Sequence, residues 1–246
     1  MNDLTALLAV ARKDLLQELR SKATTVATVF FSGMTLMLMA FALGRDQAVL
    51  ARSAPGVLWV AVVLAGVIAA AQNFQADLEE GAFEQLLTYP VARAAIYLGK
   101  LLANWLYLAA LALLLAPLAL VFYGAAVDGA LGVLTLVATL LLGAFGFAVI
   151  ATFYAALTSN LQAREALLPV LMFPIVVPIL LAAVRASEAL VSSGAAVTMG
   201  AGTGAGIGAG VGPDVALAGD WLLLLAGFDL VYFVVCSALF HFVVDE

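Results

Sequence analysis

Few side chains in this sequence could carry chemistry, and most of them stand alone. Asp229 is the only acidic residue well inside an apolar run. A carboxylate there costs about 2.5–3.5 kcal/mol on insertion scales, so it should face protein or water. It can line a translocation path or make a hydrogen-bonded contact with another helix or subunit, and the residue alone leaves both open. Cys236 is the only cysteine and His241 the only histidine. One cysteine excludes an internal disulfide, and no C-x-x-C-H run offers covalent cofactor attachment. His241 and Cys236 cannot assemble a zinc site unless Asp or Glu supplies further ligands. No nucleophile triad, paired-carboxylate site or metal-ligand cluster emerges, and no G-x-x-x-x-G-K-[ST] loop occurs. The chain reads as non-enzymatic in itself.

The remaining polar chemistry is concentrated in one stretch, "FQADLEEGAFEQLLTYPVAR", Phe74 to Arg93. On a helical projection Asp77, Glu80 and Glu84 share one face, while Phe74, Leu78, Phe83, Leu86 and Leu87 lie mostly on the other. Gly81 costs a helix about 1 kcal/mol relative to Ala, so two short helices with a bend at Gly81 are expected, closed by Pro90. Such a segment rests on lipid or docks into a groove of a partner. Its face is acidic and the cytoplasmic headgroup surface is negative, which favours a protein partner.

The elements that must position this stretch follow from composition. The 246 residues are 65% hydrophobic and only 11% charged, against about a quarter charged in a soluble domain. The chain is therefore read as an all-α integral membrane protein. Six apolar runs are long enough to span a bilayer: Ala23 to Leu43, Pro55 to Ala71, Leu101 to Tyr123, Leu131 to Leu157, Ala166 to Val184 and Trp221 to Val244. The first run starts only at Ala23 with no small-residue cleavage site after it, so no cleaved signal peptide is expected. Arg12, Lys13, Arg20, Lys22, Arg93, Lys100 and Arg164 fall on one side of the spans; Arg45, Arg52 and Arg185 fall on the other. That bias predicts both termini in the cytoplasm and places Phe74 to Arg93 there too. Nothing basic and aromatic is clustered, so nucleic acid is not an expected partner.

Ahead of the first span, Leu4, Leu7, Leu8, Ala11, Leu15 and Leu19 recur at helical spacing, with Lys13, Asp14, Gln17 and Arg20 on the other face. Residues 1–22 are thus expected to form an amphipathic helix in the interface plane. Pro169, Pro174 and Pro178 each remove a backbone donor from the fifth span, which is expected to be kinked or broken, as a packing kink or as a moving hinge. Glycine alternates from Gly200 to Gly212 within residues 192–219, a composition expected of a flexible external loop.

The spelling adds a resemblance. "EEGAFEQLLTYPV", Glu79 to Val91, resembles the segment between the second and third spans of ABC exporter permeases of the second type: an acidic residue and a glycine, then Leu-Leu and a proline. "ARKDLLQELRSK" (Ala11 to Lys22), "APGVLWVAVVLAG" (Ala54 to Gly66) and "REALLPVLMFPIVVPILLAAV" (Arg164 to Val184) resemble the haem exporter protein B, or CcmB-like, family of bacterial cytochrome c maturation. The likeness covers most of Leu4 to Val191, and residues 192–219 depart from it as an insertion would.

The resemblance implies a single permease domain over 1–246 in the bacterial inner membrane, with haem as transported ligand. Residues 72–95 become the coupling segment, with Glu80, Gly81, Phe83, Glu84, Leu86, Leu87 and Pro90 seated on a cytoplasmic ABC ATPase subunit that binds ATP. It further implies a second copy of the chain, other membrane subunits of the maturation system and a periplasmic haem chaperone. Asp229, Pro169, Pro174 and Pro178 are then candidates for the pathway or for helix contacts. Arg45 and Arg52, with Arg185, could pair with haem propionates, although each is also an ordinary flanking anchor. His241 could ligate iron, although a lone histidine near an interface also serves as a hydrogen-bonded residue. Met34, Met37 and Met39 read as packing or lipid-facing residues more than as axial ligands. Two rivals stay open: a permease of the same class for a lipid, drug or glycan, and a membrane scaffold of the maturation machinery without transport.

Overall fold

The computed structural model describes residues 3–20, 22–79, 93–158, 164–193 and 215–243. In chain order the elements are α1 (Asp3–Arg20), α2 (Lys22–Ala42), α3 (Gln47–Glu79), α4 (Arg93–Tyr123), β1 (Ala125–Val127), α5 (Gly129–Thr158), α6 (Arg164–Leu190), β2 (Val191–Ser193) and α7 (Val215–Val243). The six helices from α2 to α7 are each long and apolar enough to cross a membrane.

Local chemistry explains where the helices depart from the hydropathy reading. α2 ends at Ala42, and two residues on the chain turns at Gly44, whose φ of 85° only glycine adopts readily. Asp46 then caps α3: its Oδ1 accepts from the amides of Ala48 at 3.0 Å and Val49 at 3.4 Å. α3 therefore starts at Gln47 rather than Pro55, and Pro55 lies inside it. At its far end α3 runs on to Glu79, so the second span continues directly into the polar stretch that begins at Phe74. α6 stays one continuous helix across Pro169, Pro174 and Pro178, so of the expected kink or break the break is ruled out. Its buried side chains Met172, Val176, Ile179, Ala182 and Ala183 pack on α3, α5 and α7, and that packing holds the helix where the prolines remove backbone bonds.

One feature lies outside an all-helical reading. β1 and β2 pair antiparallel, with Ala125 opposite Ser193, Ala126 opposite Ser192 and Val127 opposite Val191. The ribbon joins the α4–α5 turn to the end of α6, and it includes the first residues of the stretch expected to be a glycine-rich loop.

α5 is the centre of the bundle and packs on α3, α4, α6 and α7. It carries no charged residue and buries side chains on all sides, among them Leu136, Leu140, Ala144, Phe147, Val149, Ile150 and Phe153. α2 and α7 lie at the edge and expose large apolar side chains: Phe30, Phe31, Met34, Met37, Met39 and Phe41 on α2, and Leu223, Leu230, Val231 and Val234 on α7. Apolar surface this extensive belongs in lipid or against another membrane chain.

Polar side chains tie the spans together where apolar packing alone is not selective. Tyr123 donates to the Leu36 carbonyl at 2.9 Å, Tyr97 to the Val149 carbonyl at 3.1 Å and Trp105 Nε1 to the Leu141 carbonyl at 3.0 Å. Asn104 Nδ2 donates to Thr152 Oγ1 at 3.2 Å, and Trp59 Nε1 to Ser187 Oγ at 3.1 Å. Between membrane helices each such bond contributes about 0.6 kcal/mol on average. Their value lies in fixing the rotation of α2, α3, α4 and α6 about the central helix.

Candidate functional site

Polar and ionisable groups gather at the end of the bundle where α1 lies, which is also the end where α3 finishes and α4 begins. α1 has a buried side and an exposed side, and the exposed side mixes leucines with arginines. Ala6, Val10, Ala11 and Asp14 are buried, and this face packs on α4. Leu4, Leu8 and Leu16 are exposed, and so are Arg12 and Arg20. The approach to α4 is close because residue 99 is glycine: a Cβ there would stand 2.8 Å from Val10 Cβ and 2.9 Å from the Leu7 carbonyl oxygen.

Asp14 thus lies on the buried face, not on the polar one, because α4 brings it a cation. Lys100 Nζ sits 3.3 Å from Asp14 Oδ2, and each side chain is only 1% exposed. Lys13 Nζ reaches the other oxygen at 3.1 Å from a partly exposed position. Sequence reasoning placed Asp14 with the polar residues and counted Lys100 only toward topology. The missed signal was an acid and a base flanking the small residues of two helices, but nothing in the spacing pairs residues so distant in the chain.

One turn on, Glu18 faces the same region. Together with Asp14, Asn104, Tyr107, Ala69 and Ala103 it lines a small cavity between α1, α3 and α4. Burial first, and then the Asp14 charge, push the Glu18 carboxyl above its ordinary value of 4.5. The folded chain therefore holds this proton more tightly than the unfolded chain does, and stability falls as pH rises through the folded value. Glu18→Gln removes the linkage. The variant is expected to melt above wild type near neutral pH, and the two should converge below about pH 4.5. A melting-temperature difference that does not change with pH would dissociate Glu18 ionisation from the docking of α1.

The other sequence candidates are dispersed. Glu80, Gly81, Phe83, Glu84, Leu86, Leu87 and Pro90 lie outside the described residues, as does the side chain of Pro169. Pro174 is exposed and Pro178 half-buried on α6. Arg45 and Arg52 are exposed around the start of α3, and Arg185 pairs with Glu188 at 3.1 Å. That end of the bundle carries Tyr123 and the ribbon. His241 belongs to α7, but its side chain lies outside the described residues. It follows Phe240, whose ring is 4.8 Å from that of Tyr97 near the start of α4. Arg45 and Arg52 therefore stand at one end of the bundle and His241 at the other, so the three do not converge on one ligand. Among the described residues no group of three His, Cys, Asp or Glu is placed to hold a metal ion. Asp229 is buried in mid-span, 3% exposed, and neither carboxylate oxygen has a hydrogen-bond partner.

The family model of the CcmB protein matches residues 5–209. The chain belongs to the CcmB family. The match starts within α1, takes in α2 to α6 and extends past Val191 into the glycine-rich stretch. α7, with Asp229 and His241, lies beyond it. Relatives named heme exporter protein B cover much of the same ground. That of Rhodobacter capsulatus is 33% identical over 173 residues, 70% of this chain and 78% of the relative. That of Pseudomonas aeruginosa is 31% identical over 179 residues, 71% and 79%. That of Haemophilus influenzae is 30% identical over 182 residues, 74% and 81%. The buried Asp14–Lys100 pair falls inside the residues that the CcmB model matches, and Asp229 falls outside them.

Proposed function

We propose that this chain is the transmembrane permease subunit of an ABC transporter that exports or mobilises haem to the periplasm for c-type cytochrome biogenesis. The observation that carries the reading is the CcmB family match across residues 5–209, joined to a bundle of six candidate spans. The chain is not catalytic; ATP is hydrolysed by a separate ABC ATPase subunit. Residues 1–246 form one permease domain of the bacterial inner membrane, with both termini in the cytoplasm, as the Lys and Arg bias supports.

Residues 72–95 couple the two subunits. ATP binding draws the ATPase pair together and pushes on this segment, and α3 and α4, which flank it, carry the displacement into the bundle. α1 lies in the interface plane with Leu4, Leu8 and Leu16 toward lipid and its small-residue face on α4. A second copy of the chain completes the permease, and further membrane subunits and a periplasmic haem chaperone receive the haem. Asp229, Pro174 and Pro178 serve in helix contacts or along the path, and Arg45 and Arg52 are available to haem propionates on the outer side.

The test has two arms. The chain is purified with its ATPase subunit and ATP hydrolysis is measured with and without haem; stimulation by haem is expected. A rate indifferent to haem but responsive to another amphipath would point to a different cargo, and failure to co-purify any ATPase would point to a scaffold. In the second arm Gly204→Cys is treated in intact cells with a membrane-impermeant thiol reagent. Labelling is expected without permeabilisation, and labelling only after it would reverse the topology.

A further inference from the structure

Asp229 is a buried side chain of the bundle core whose position the surrounding packing does not explain. It is 3% exposed, both its oxygens are buried without a partner, and it points from α7 into α5. Its Oδ1 occupies the space that a Cβ at residue 146 would need; Gly146 leaves that space open, and Ile179 Cδ1 of α6 closes its side. The notch is shaped for a carboxyl group yet offers it no donor.

Among the described residues no charge of opposite sign compensates. α5 contributes no charged residue and one phenol, Tyr154. α6 contributes Arg185 and Glu188, which pair with each other near its end, and Arg164 and Glu165 at its other end. α4 contributes Arg93 in its first turn, Lys100 committed to Asp14, and the phenols Tyr97, Tyr107 and Tyr123. α7 itself adds Asp220 a little over two turns away, Tyr232, Cys236 and His241. None of those with described side chains is a hydrogen-bond partner of Asp229. An ionised carboxylate in such a place bears a heavy desolvation cost that none of the described neighbours offsets, whereas the neutral acid bears far less.

We propose that Asp229 is a proton-binding site that latches α7 onto α5. With the proton on the carboxyl, the side chain fits the Gly146 notch and α7 is docked. When the proton passes to water or a buffer base, the carboxylate leaves the notch for a wetter position and α7 separates from the core. Docked α7 carries one proton that released α7 does not, so docking weakens as pH rises. The inference does not depend on the haem-export reading, because it concerns only contacts within this chain.

Cys236 supplies a native reporter. It lies seven residues along α7, on the same face as Asp229, and is buried. The purified full-length chain in detergent is reacted with N-ethylmaleimide from about pH 6 to about pH 9, alongside Asp229→Asn. The intrinsic pH dependence of the thiol is common to both proteins, so the ratio of their rates isolates residue 229. That ratio is expected to rise about fivefold or more across the range, as a latch open in a growing share of molecules requires. A carboxylate charge near the thiol would lower the ratio instead, so a flat or falling ratio overturns the proposal. Gly146→Ala provides an independent test should Asp229→Asn fold poorly. With the notch filled, Cys236 is expected to react readily even at the acid end. A monodisperse Gly146→Ala protein that protects Cys236 as wild type does would also overturn it.

Discussion

Lys100→Met is expected to lower the thermal stability of the purified chain by several degrees and to free α1 from α4. Both members of the Asp14–Lys100 pair are 1% exposed, and removing one partner of a buried pair costs about 3–5 kcal/mol, because the other charge stays behind unmatched. Lys13 still reaches the second Asp14 oxygen, which moves the loss toward the lower end of that range. Lys13→Met should do far less: its side chain is 39% exposed, and exposed pairs contribute about 0–1 kcal/mol. The double variant Asp14→Leu/Lys100→Met is the decisive protein. It removes both charges and leaves two apolar side chains of suitable size, and should recover most or all of the lost stability. Melting curves of the four proteins in one detergent make the comparison. A Lys100→Met protein that melts with wild type would mean that the pair does not hold α1. A double variant worse than the single would mean that the ion pair itself, rather than the avoidance of a lone charge, supports the fold.

The second large effect is expected in function rather than in stability. Phe83, Leu86 and Leu87 stand at i, i+3 and i+4 in the proposed coupling segment. Each contributes roughly 1.5–3 kcal/mol when removed from water into a groove. Phe83→Ala with Leu87→Ala therefore weakens association with the ATPase by roughly two to four orders of magnitude, enough to abolish coupling at cellular concentrations. Glu84→Gln touches at most a rim pair, typically under 1 kcal/mol, and should leave most binding intact. Pull-down of the ATPase and haem staining of c-type cytochromes read the two levels. The chain itself should remain in the membrane at normal abundance. Full ATPase binding and full cytochrome c maturation in the double variant would remove residues 72–95 from the coupling role.

Much of the fold was legible in the sequence because membrane spans announce themselves by length and apolarity. What escaped was set by contacts. Three-residue strands have no period long enough to register, so the ribbon between residues 125–127 and 191–193 could not be read from alternation. Pro55 looked like the start of a helix, but the carboxylate of Asp46 begins it earlier. Three prolines looked sufficient to kink or break α6, yet the helix runs on through them, held by its packing. Asp14 was the most instructive case. Helical periodicity sorts residues by polarity, and an aspartate sorts to the wet face unless its cation is known. Lys100 comes from a helix that hydropathy treats as a separate span, so only the folded bundle brings the two together. Asp229, by contrast, was visible at once, because a lone acid in an apolar run needs no partner to be noticed.

The central position of α5 bears on how the protein is made. Spans leave the ribosome in chain order, and α5 is complete while α6 and α7 are still unsynthesised. Until then its flank at Gly146 lacks the two side chains, Ile179 and Asp229, that later cover it. α6 and α7 then arrive as the closing staves of a cask whose middle has already been set. A nascent chain halted before Val215 has α6 in place but leaves the Gly146 notch without the Asp229 carboxyl that fills it.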